Sequence, residues 1–547
     1  MNRDDFPMLK NNIVFFDNGA TTLKPKSVID SVVDYMSNHT SNIHRGDYDA
    51  AIITNKLYDN VRNIVSSFVN CDSREVIYTS GATQSLNMVV FGYMKKHLKA
   101  GDEVLLNKAE HASNILPWIV LSKQIGIVIK YVPLDKNYEL TLENIKKCVT
   151  SKTRVISLAQ ITNVIGDVRD VYSIGKYCHE NNILFNVDGA QSVPHMRVDF
   201  KKCNMDFLSF SGHKMCGPTG VGILVGRYEL LEEMDPLCYG GGMNSYFEEN
   251  GDYELKSIPT RFEAGTTPIA EVIGLGEAIK YLMNIGMDNI HNHEMELKKY
   301  LLDKVKDIPN VIVYNTSSNS GIFAFNIDGV FAQDASIYLN SFNIYVRAGN
   351  HCAKELKDEI KIKNTVRVSM YFYNNFDDVD RLVSALKNSK DIFKVVLLGD
   401  FFLDNDLRRE IIMDNYSDPM NKGLINDDGY LKTRTISESC IDDLSFMMKI
   451  ENNIIKDIRF DGEACAISTS ATSIMIRSLI GKSVDDAKKI LINYKNMIEE
   501  KDYDKELLSE LVVYDSISKQ PNRKNCALLP YKAINSMLGE LNNRDWR

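Results

Sequence analysis

The sequence has few of the features that mark membrane-bound, secreted or nucleic-acid-binding proteins. No run of apolar residues approaches the ~18 that a membrane-spanning helix needs. The first residues, MNRDDFPMLKNN, contain no apolar core of signal-peptide length. Acidic residues outnumber basic ones, 73 to 64, and the net charge is −9. Such a balance provides no basic surface for nucleic acid or anionic membranes, so we expect a soluble protein without either partner.

Histidine is missing from the last third of the chain. All ten histidines lie at or before position 351, so a metal site beyond that point must use cysteine and carboxylate ligands. The ten cysteines are scattered and lack the close spacing of a small disulfide-rich domain. This distribution predicts free thiols in a reducing compartment, and therefore a cytoplasmic protein.

With 547 residues, the chain is long enough for two or three domains. Between residues 74 and 230, short β-rich runs such as REVIYTS, EVLLN, TRVISLAQ and ILFNVDGA alternate with helical patterns. The alternation predicts a large α/β domain with a mostly parallel sheet, at about residues 20–265. After residue 268, a long helical pattern leads into a smaller α+β subdomain. We expect this subdomain to extend to residue 393 and to include the N-terminal segment.

The pattern is interrupted around residues 394–404 by VVLLGDFFLDN, where we place a linker. A second unit, residues 405–547, opens with the helical pattern LRREIIMDNY, which ends at the proline and glycine of SDPMNKG. The predicted organisation is therefore a first unit at residues 1–393, a linker, and a separate α+β unit.

Lys214 stands in an unusual setting, the segment SFSGHKMCGPTG at residues 209–220. A lysine that must lose its proton and attack a carbonyl needs a shaped, partly desolvated loop at a strand end. An ordinary basic residue in a turn is the alternative. Upstream, NVDGAQS places Asp188 at a strand end, with Gln191 close behind. A buried carboxylate there is costly unless it faces a cation, and the pyridinium nitrogen of pyridoxal 5'-phosphate (PLP) is such a cation.

Other residues fit the same cofactor. The motif SGATQ at residues 80–84 joins a strand end to a helix start, where backbone N–H groups can hold a phosphate or simply begin a helix. His111 in AEHASN could stack on an aromatic ring or lie on the surface. The candidate phosphate contacts are Gly81, Ala82, Thr83, Ser211 and His213. Together these features predict a PLP site in which Lys214 forms the Schiff base.

These motifs, with HRGDY, EHASNILPW, RFEAGTTP, RAGNHCA and VRVSMYFYN, resemble the group II (SufS-type) cysteine desulfurases over roughly residues 10–390. The resemblance implies a dimeric fold-type I PLP enzyme, similar to class V aminotransferases. Such an enzyme takes sulfur from L-cysteine as an enzyme persulfide and leaves L-alanine. For the cofactor, the resemblance implies that Thr83, Ser211 and His213 contact the phosphate, that His111 stacks on the ring and takes part in catalysis, and that Asp188 and Gln191 contact the pyridine. It also implies that Thr266 reaches across the dimer to the phosphate bound in the other subunit. On the substrate side, it implies a contact by Asn163 and binding of the substrate carboxylate by Arg367.

The resemblance places the nucleophile at Cys352, in YVRAGNHCAKE. A thiolate must attack the substrate sulfur, and the nearby Arg347, which we also count as a substrate-side residue, and His351 favour that form. An inert thiol is the alternative. Two positions depart from the family, Asn350 where it usually has histidine and Ala82 where it usually has threonine.

The second unit contains four possible metal ligands, Cys440, Asp442, Cys465 and Cys526. Three thiolates and a carboxylate can form a tetrahedral zinc site, although three structural thiols would also fit such wide spacing. The segments DNYSDPMNKG, IRFDGEACAISTSATSIM, GKSVDDA and RKNCALLPYKAI resemble SufU-type proteins, relatives of the U-family iron–sulfur scaffolds, over about residues 405–540. Asn525, where U scaffolds have histidine, and the long segment between Cys465 and Cys526 favour the zinc-dependent sulfur-acceptor branch. Ile441 replaces a glycine of the family.

The two resemblances together imply a fusion of a sulfur donor with a sulfur acceptor. A persulfide on Cys352 would pass to a zinc-bound thiolate, with Cys440 the preferred acceptor, and would supply proteins of iron–sulfur cluster assembly. Two alternatives stay open. The second unit could assemble a transient iron–sulfur cluster on the same ligands, or the PLP unit could be a selenocysteine lyase or a class V aminotransferase.

Overall fold

The computed structural model describes residues 3–44, 46–362, 364–389, 392, 405–437 and 442–544. The chain divides into two compact units, Met1–Asn326 with Phe342–Leu386, and Ile327–Ser341 with Lys387–Arg547. Residues 327–341, which we expected in the first unit, thus pack with the second. The predicted linker at 394–404 lies outside the described residues. Within the described part of the chain, no helix is both long and apolar enough to span a bilayer.

A seven-stranded sheet forms the centre of the first unit. Its strands are Val76–Thr79 (β2), Glu103–Leu106 (β3), Val128–Tyr131 (β4), Thr153–Ala159 (β5), Leu184–Asp188 (β6), Phe207–Ser211 (β7) and Gly222–Gly226 (β8). They lie in the order β2-β8-β7-β6-β5-β3-β4. Only β8 is antiparallel to its neighbours, β2 and β7. Nearly all residues of β2, β3, β5, β7 and β8 are buried, as expected for strands covered on both faces.

Helices flank this sheet and continue into the smaller subdomain. They are Lys26–Asn38 (α1), Asp49–Val69 (α2), Ala82–Met88 (α3), Lys95–His97 (α4), Leu116–Ile125 (α5), Leu142–Cys148 (α6), Val171–Glu180 (α7), Tyr228–Glu233 (α8), Ile269–Ile285 (α9), Met287–Val305 (α10), Lys357–Ile360 (α12) and Phe376–Lys387 (α13). A π-helical segment, Val89–Met94, joins α3 to α4. The three segments therefore form one helical stretch over residues 82–97.

The smaller subdomain contains a four-stranded sheet in the order β11-β12-β15-β14. Its strands are Val311–Tyr314 (β11), Ile322–Ile327 (β12), Arg347–Gly349 (β14) and Thr365–Ser369 (β15). The N-terminal strand Val14–Phe15 (β1) pairs in parallel with Ile344–Tyr345 (β13), which connects the N-terminal segment to this part of the chain. The remaining strands, Asn244–Phe247 (β9) and Tyr253–Leu255 (β10), form an antiparallel hairpin. The predicted α/β class with a small α+β subdomain is confirmed.

The second unit combines an antiparallel sheet with helices. The strands are Leu431–Ile436 (β16), Asp443–Glu451 (β17) and Ile454–Glu463 (β18), with β17 in the middle. The helices are Ala332–Asn340 (α11), Asn405–Ser417 (α14), Ala466–Leu479 (α15), Val484–Ile498 (α16), Lys505–Leu508 (α17), Pro521–Ala527 (α18) and Leu529–Arg544 (α19). Almost every residue of α15 is buried, so this helix lies at the centre of the unit's core.

Candidate functional site

Strand direction brings the predicted site residues of the first unit together. Strands β2, β3, β5, β6 and β7 run the same way, so the loops that follow them lie at one edge of the sheet. Ligands of open α/β sheets bind in the crevice outside these carboxyl ends. A cavity of about 280 Å³ opens there. The predicted residues that line it are Ala82, Thr83, His111, Asn163, Asp188, Gln191, Ser211, His213, Lys214, Arg347, Cys352 and Arg367.

Two predicted residues lie outside this lining. Gly81 immediately precedes it and adopts a φ of 155°, a conformation that favours glycine. Thr266 lines a different cavity of about 420 Å³, together with Arg62 and Glu263. Its contact with a cofactor in the partner subunit stays a prediction.

Lys214 and Asp188 both line the cavity, and their charges interact. Burial lowers the pKa of Lys214 to about 8, and the positive charge of Arg367 acts in the same direction, while Asp188 partly opposes both. Burial raises the pKa of Asp188, although its carboxylate accepts a hydrogen bond from the Ala190 backbone (2.9 Å) and lies near Lys214. A lysine with a lowered pKa is an amine prepared for attack on a carbonyl.

His111 is held as a neutral ring. Burial lowers its pKa to about 4, with smaller effects from Lys214 and Arg367. Its Nδ1 accepts a hydrogen bond from the Ser113 backbone (3.2 Å), so the ring proton lies on Nε2. The adjacent Glu110 forms a fully buried ion pair with Arg169, which fixes the loop that carries His111.

The start of α3 lies at the end of the cavity where the sequence predicts the phosphate contacts. The Ser211 hydroxyl accepts a hydrogen bond from the Ala82 backbone (2.8 Å), and the Thr83 hydroxyl bonds Ser113 (2.8 Å). Burial lowers the pKa of His213 to about 4, and Lys214 adds to the effect, so this ring is also neutral near pH 7. Hydroxyls and other backbone N–H groups therefore remain the contacts for an anion, because the Ala82 N–H donates to Ser211.

On the substrate side, Arg367 is buried at 2% exposure. Its Nη1 donates to the Asn163 backbone oxygen (2.8 Å), and its Nη2 donates to Asp17 (3.3 Å). Burial lowers the pKa of Arg367 to about 10, the Arg347 charge contributes, and Asp17 opposes both. The Asn163 side chain donates to the His351 backbone oxygen (2.6 Å), which links the arginine to the loop of Cys352.

Cys352 is exposed at the cavity wall. The loop is fixed from both sides, since the Cys352 carbonyl accepts from the Ala112 backbone (2.7 Å) and its N–H donates to the Asn350 side chain (3.1 Å). His351 and Cys352 both have positive φ, 51° and 58°, which non-glycine residues rarely adopt. Asn350 thus holds the loop through an amide oxygen. Backbone strain of this kind persists where the surrounding contacts impose it.

Four polar atoms of the residues that line the cavity are buried without a hydrogen-bond partner among the described residues. They are Gln191 Oε1, Asn163 Oδ1, His351 Nδ1 and Arg367 Nε. Buried polar groups are normally paired, so unpaired ones that line a cavity point to a polar ligand. Together with the carboxylate of Asp188 and the neutral ring of His111, this donor set fits PLP and an amino-acid substrate.

Comparisons with known proteins agree with this geometry. The family model "Aminotransferase class-V" matches residues 14–382. A probable cysteine desulfurase of Halalkalibacterium halodurans is 37% identical over 394 residues, covering 71% of this chain and 97% of the relative. The corresponding protein of Ureaplasma parvum is 41% identical over 386 residues, with 70% and 95% covered. The apo structure of a cysteine desulfurase from Thermococcus onnurineus has a TM-score of 0.68 at 32% identity, covering 71% of this chain and 96% of that one.

The chain belongs to the cysteine desulfurases. The predicted PLP enzyme is therefore confirmed. In the second unit, the model "NifU-like N terminal domain" matches residues 407–527, which confirms the predicted resemblance to U-type proteins. The desulfurase and the NifU-like domain are parts of one chain.

Three of the four predicted metal ligands meet in the NifU-like domain. Asp442, Cys465 and Cys526 are buried, and their ligand atoms all lie within 4.8 Å of one another. Cys465 is the N-cap of α15, and its sulfur accepts from the Ser468 backbone (3.4 Å). The positive end of a helix favours a thiolate at this position. Cys440 and Ile441 lie outside the described residues.

A buried ion pair adjoins this cluster. Asp334, on α11, accepts from the Ala466 backbone at the start of α15 (3.1 Å) and from Arg523 (3.3 Å). Asp334 is fully buried and Arg523 is 5% exposed. The negative charges of Cys465, Asp334 and Cys526 raise the pKa of Arg523, against the effect of burial. The fixed cation thus lies beside the two thiols.

Sequence reasoning missed the segment before α1 and the ion pair of the second unit. In that segment, Gly19 and Ala20 line the first cavity, and Asp17 accepts hydrogen bonds from Arg347 and Arg367. Elsewhere, the Ser113 backbone donates a hydrogen bond to His111. The signal for Asp17 was available, because a lone carboxylate follows the apolar run IVFF directly. Asp334 carried no such signal, because it lies in an ordinary helical pattern far from the ligands in sequence.

Proposed function

We propose that the chain is a sulfur donor fused to its own acceptor: Cys352 takes sulfur from L-cysteine as a persulfide and passes it to the NifU-like domain for iron–sulfur cluster assembly. The observation that carries the proposal is the exposed Cys352 at the wall of the same cavity as Lys214. An exposed thiol there can reach a bound substrate and then present its sulfur to a second protein surface.

The residues divide the work by their chemistry. PLP, when bound, supplies the electron sink for breaking bonds at the carbons of the amino acid. Lys214 holds the cofactor and, as a neutral amine, moves protons beside it. The Cys352 thiolate attacks the substrate sulfur. An S–S bond forms as the C–S bond breaks, and protonation of the carbon that loses sulfur leaves L-alanine.

We further propose that Asp442, Cys465 and Cys526, with Cys440, hold zinc. The support is the donor set itself, since thiolates and one carboxylate without histidine suit a tetrahedral Zn²⁺ site. Zinc would keep its thiolates deprotonated and can release one of them as the acceptor, for which Cys440 remains our choice.

The second candidate for this domain is a scaffold that assembles a transient iron–sulfur cluster, which the NifU-like match favours. Metal and sulfide analysis after aerobic purification separates the two. We expect one zinc per chain and no acid-labile sulfide. Iron in ratio with sulfide would make the domain a scaffold.

We also propose a cytoplasmic homodimer, because no disulfide bond joins the cysteines of the described residues and Thr266 lies at a cavity away from its own PLP site. The central test is mass spectrometry of the full chain after a short pulse of L-cysteine. We expect sulfane sulfur on Cys352 first and on a cysteine of the NifU-like domain afterwards. Sulfane sulfur that never leaves Cys352 without an added acceptor would overturn transfer within the fusion.

Fusion makes a further prediction about rate. A short covalent connection holds the acceptor at an effective concentration of about millimolar. The turnover rate per enzyme molecule should therefore stay the same when the enzyme is diluted. Cleaving the chain near Gly399 should make turnover depend on the concentration of the released domain. If the isolated desulfurase turns over at the full rate alone, the fusion does not serve sulfur transfer.

A further inference from the structure

Asp17 connects two arginines of the desulfurase cavity. Its carboxylate accepts from Arg347 Nε (3.0 and 3.1 Å) and Nη2 (2.8 Å), a two-pronged contact along one edge of the guanidinium. The same carboxylate accepts from Arg367 Nη2 (3.3 Å). The backbone bridge between Asp17 and Ser369 anchors the carboxylate to β15, the strand that carries Arg367.

The neighbouring residues leave Arg367 little freedom. A side chain added at Gly19 would lie 2.9 Å from Arg367 Cζ, so the backbone here packs directly on the guanidinium. Asn163 and Asp17 occupy both terminal nitrogens of the group, and Nε is left without a partner among the described residues. The neighbouring residues therefore determine which N–H groups of Arg367 remain free to bind a ligand.

The charges at this end of the cavity also depend on Asp17. Arg347 and Arg367 contribute two positive charges, and Asp17 contributes one negative charge, which leaves one positive charge for a ligand. An amino acid with a single carboxylate matches this sum, whereas two unpaired arginines would suit a second carboxylate. The paired edge of Arg347 is unavailable to the ligand while Asp17 holds it.

We propose that Asp17 is a positioning and specificity residue: it fixes the donor edge of Arg367 and occupies the paired edge of Arg347, the residue counted above as substrate-side, so that the cavity accepts an amino acid with one carboxylate. The inference rests on the assignment of Arg367 as the carboxylate ligand. Nothing in it requires the NifU-like domain.

The test measures ligand binding to the PLP-loaded full chain through the cofactor's absorbance, with L-alanine and L-aspartate as probes. In Asp17→Asn, we expect about tenfold weaker binding of L-alanine and tighter binding of L-aspartate, a tenfold change being the loss of one charge-assisted contact. The KM for L-cysteine should rise by a similar factor with little change in kcat. Asp17→Glu should restore part of the discrimination, and Asp30→Asn, on an exposed ion pair, should behave as wild type.

A double-mutant cycle separates positioning from general damage to the fold. If Asp17 acts by holding Arg347, the gain in L-aspartate binding should disappear in Asp17→Asn/Arg347→Gln. Unchanged discrimination in Asp17→Asn, or equal and additive losses for both probes, would overturn the proposal. Arg367→Gln is the check on its premise. If Arg367→Gln binds L-alanine normally, Arg367 is not the carboxylate ligand and the premise fails. If Arg367→Gln loses L-alanine binding while Asp17→Asn binds both probes as the wild type does, the premise holds and only the role proposed for Asp17 is rejected.

Discussion

The two sites of this chain are built in opposite ways. In the desulfurase cavity, several polar atoms of the walls are unpaired, and the charged residues are spread around about 280 Å³ of space. In the NifU-like domain, the ligands are packed against one another. Asp442 accepts from the Cys465 backbone (3.0 Å) and from the Ser468 hydroxyl, and the ligand atoms of Asp442, Cys465 and Cys526 lie within 4.8 Å of one another. The first arrangement suits a large organic ligand, and the second suits a single ion.

The largest expected effect concerns the residue that defines the first site. Lys214→Ala should remove the visible absorbance of the lysine-bound cofactor and abolish alanine release, because no other lysine of the described residues lines the cavity. Absorption spectra and alanine assays measure both. An unaltered spectrum would show that the cavity does not attach PLP through Lys214 and would remove the basis of the comparison.

The next effect separates binding from sulfur acceptance within the same cavity. Cys352→Ser should retain PLP and still change its spectrum on adding L-cysteine, but should release no alanine, because a hydroxyl cannot replace the thiolate. Cys238→Ser, at another exposed cysteine, is the matched control and should be fully active. Alanine release by Cys352→Ser at the wild-type rate would place the nucleophile elsewhere.

How far the sequence predicted each site follows from how each is built. Loop motifs after parallel strands are brought to one edge by topology, so Lys214, Asp188 and His111 could be placed in one cavity from their positions in the pattern. The partners that orient them, such as Asp17 and Ser113, depend on side-chain packing that no motif records. In the second unit, the types of side chain that bind metals were enough to predict Asp442, Cys465 and Cys526. The ion pair of Asp334 with Arg523 could not be predicted, because it requires residues 327–341 to pack with the second unit. The helical pattern of that segment does not indicate such packing.

Because the ligands of the second site are packed against one another, the loss of a single side chain should disturb it. Cys465→Ser should lose most of the bound metal, because it removes a ligand and the thiolate at the start of α15. Asp334→Asn should retain metal but lower the melting temperature of the NifU-like domain, since Arg523 would lose its paired charge while still buried, at a cost of about 3–5 kcal/mol. Metal analysis and calorimetry report the two effects. Full metal content in Cys465→Ser would show that the cluster is not the metal site.

The smallest effect is a pH dependence of cofactor capture that belongs to the first site alone. The neutral form of Lys214 attacks PLP, and its pKa is lowered to about 8 from the ordinary value of about 10.5. At pH 7, about a tenth of Lys214 would be neutral, against about one in three thousand for an ordinary lysine. The rate of PLP capture by cofactor-free protein should therefore rise about fivefold from pH 7 to 8 and level off above pH 9.

Rapid-mixing absorbance measurements check this dependence, with a lysine peptide run in parallel to account for the titrations of PLP itself. The positive charge of Arg367 is one cause of the lowered pKa, so Arg367→Gln should move the midpoint to higher pH. A capture rate that still rises about eightfold from pH 9 to pH 10 would mean that Lys214 behaves as an exposed lysine. In that case the cavity would owe its chemistry to the cofactor, and the desolvated environment inferred for Lys214 would be wrong.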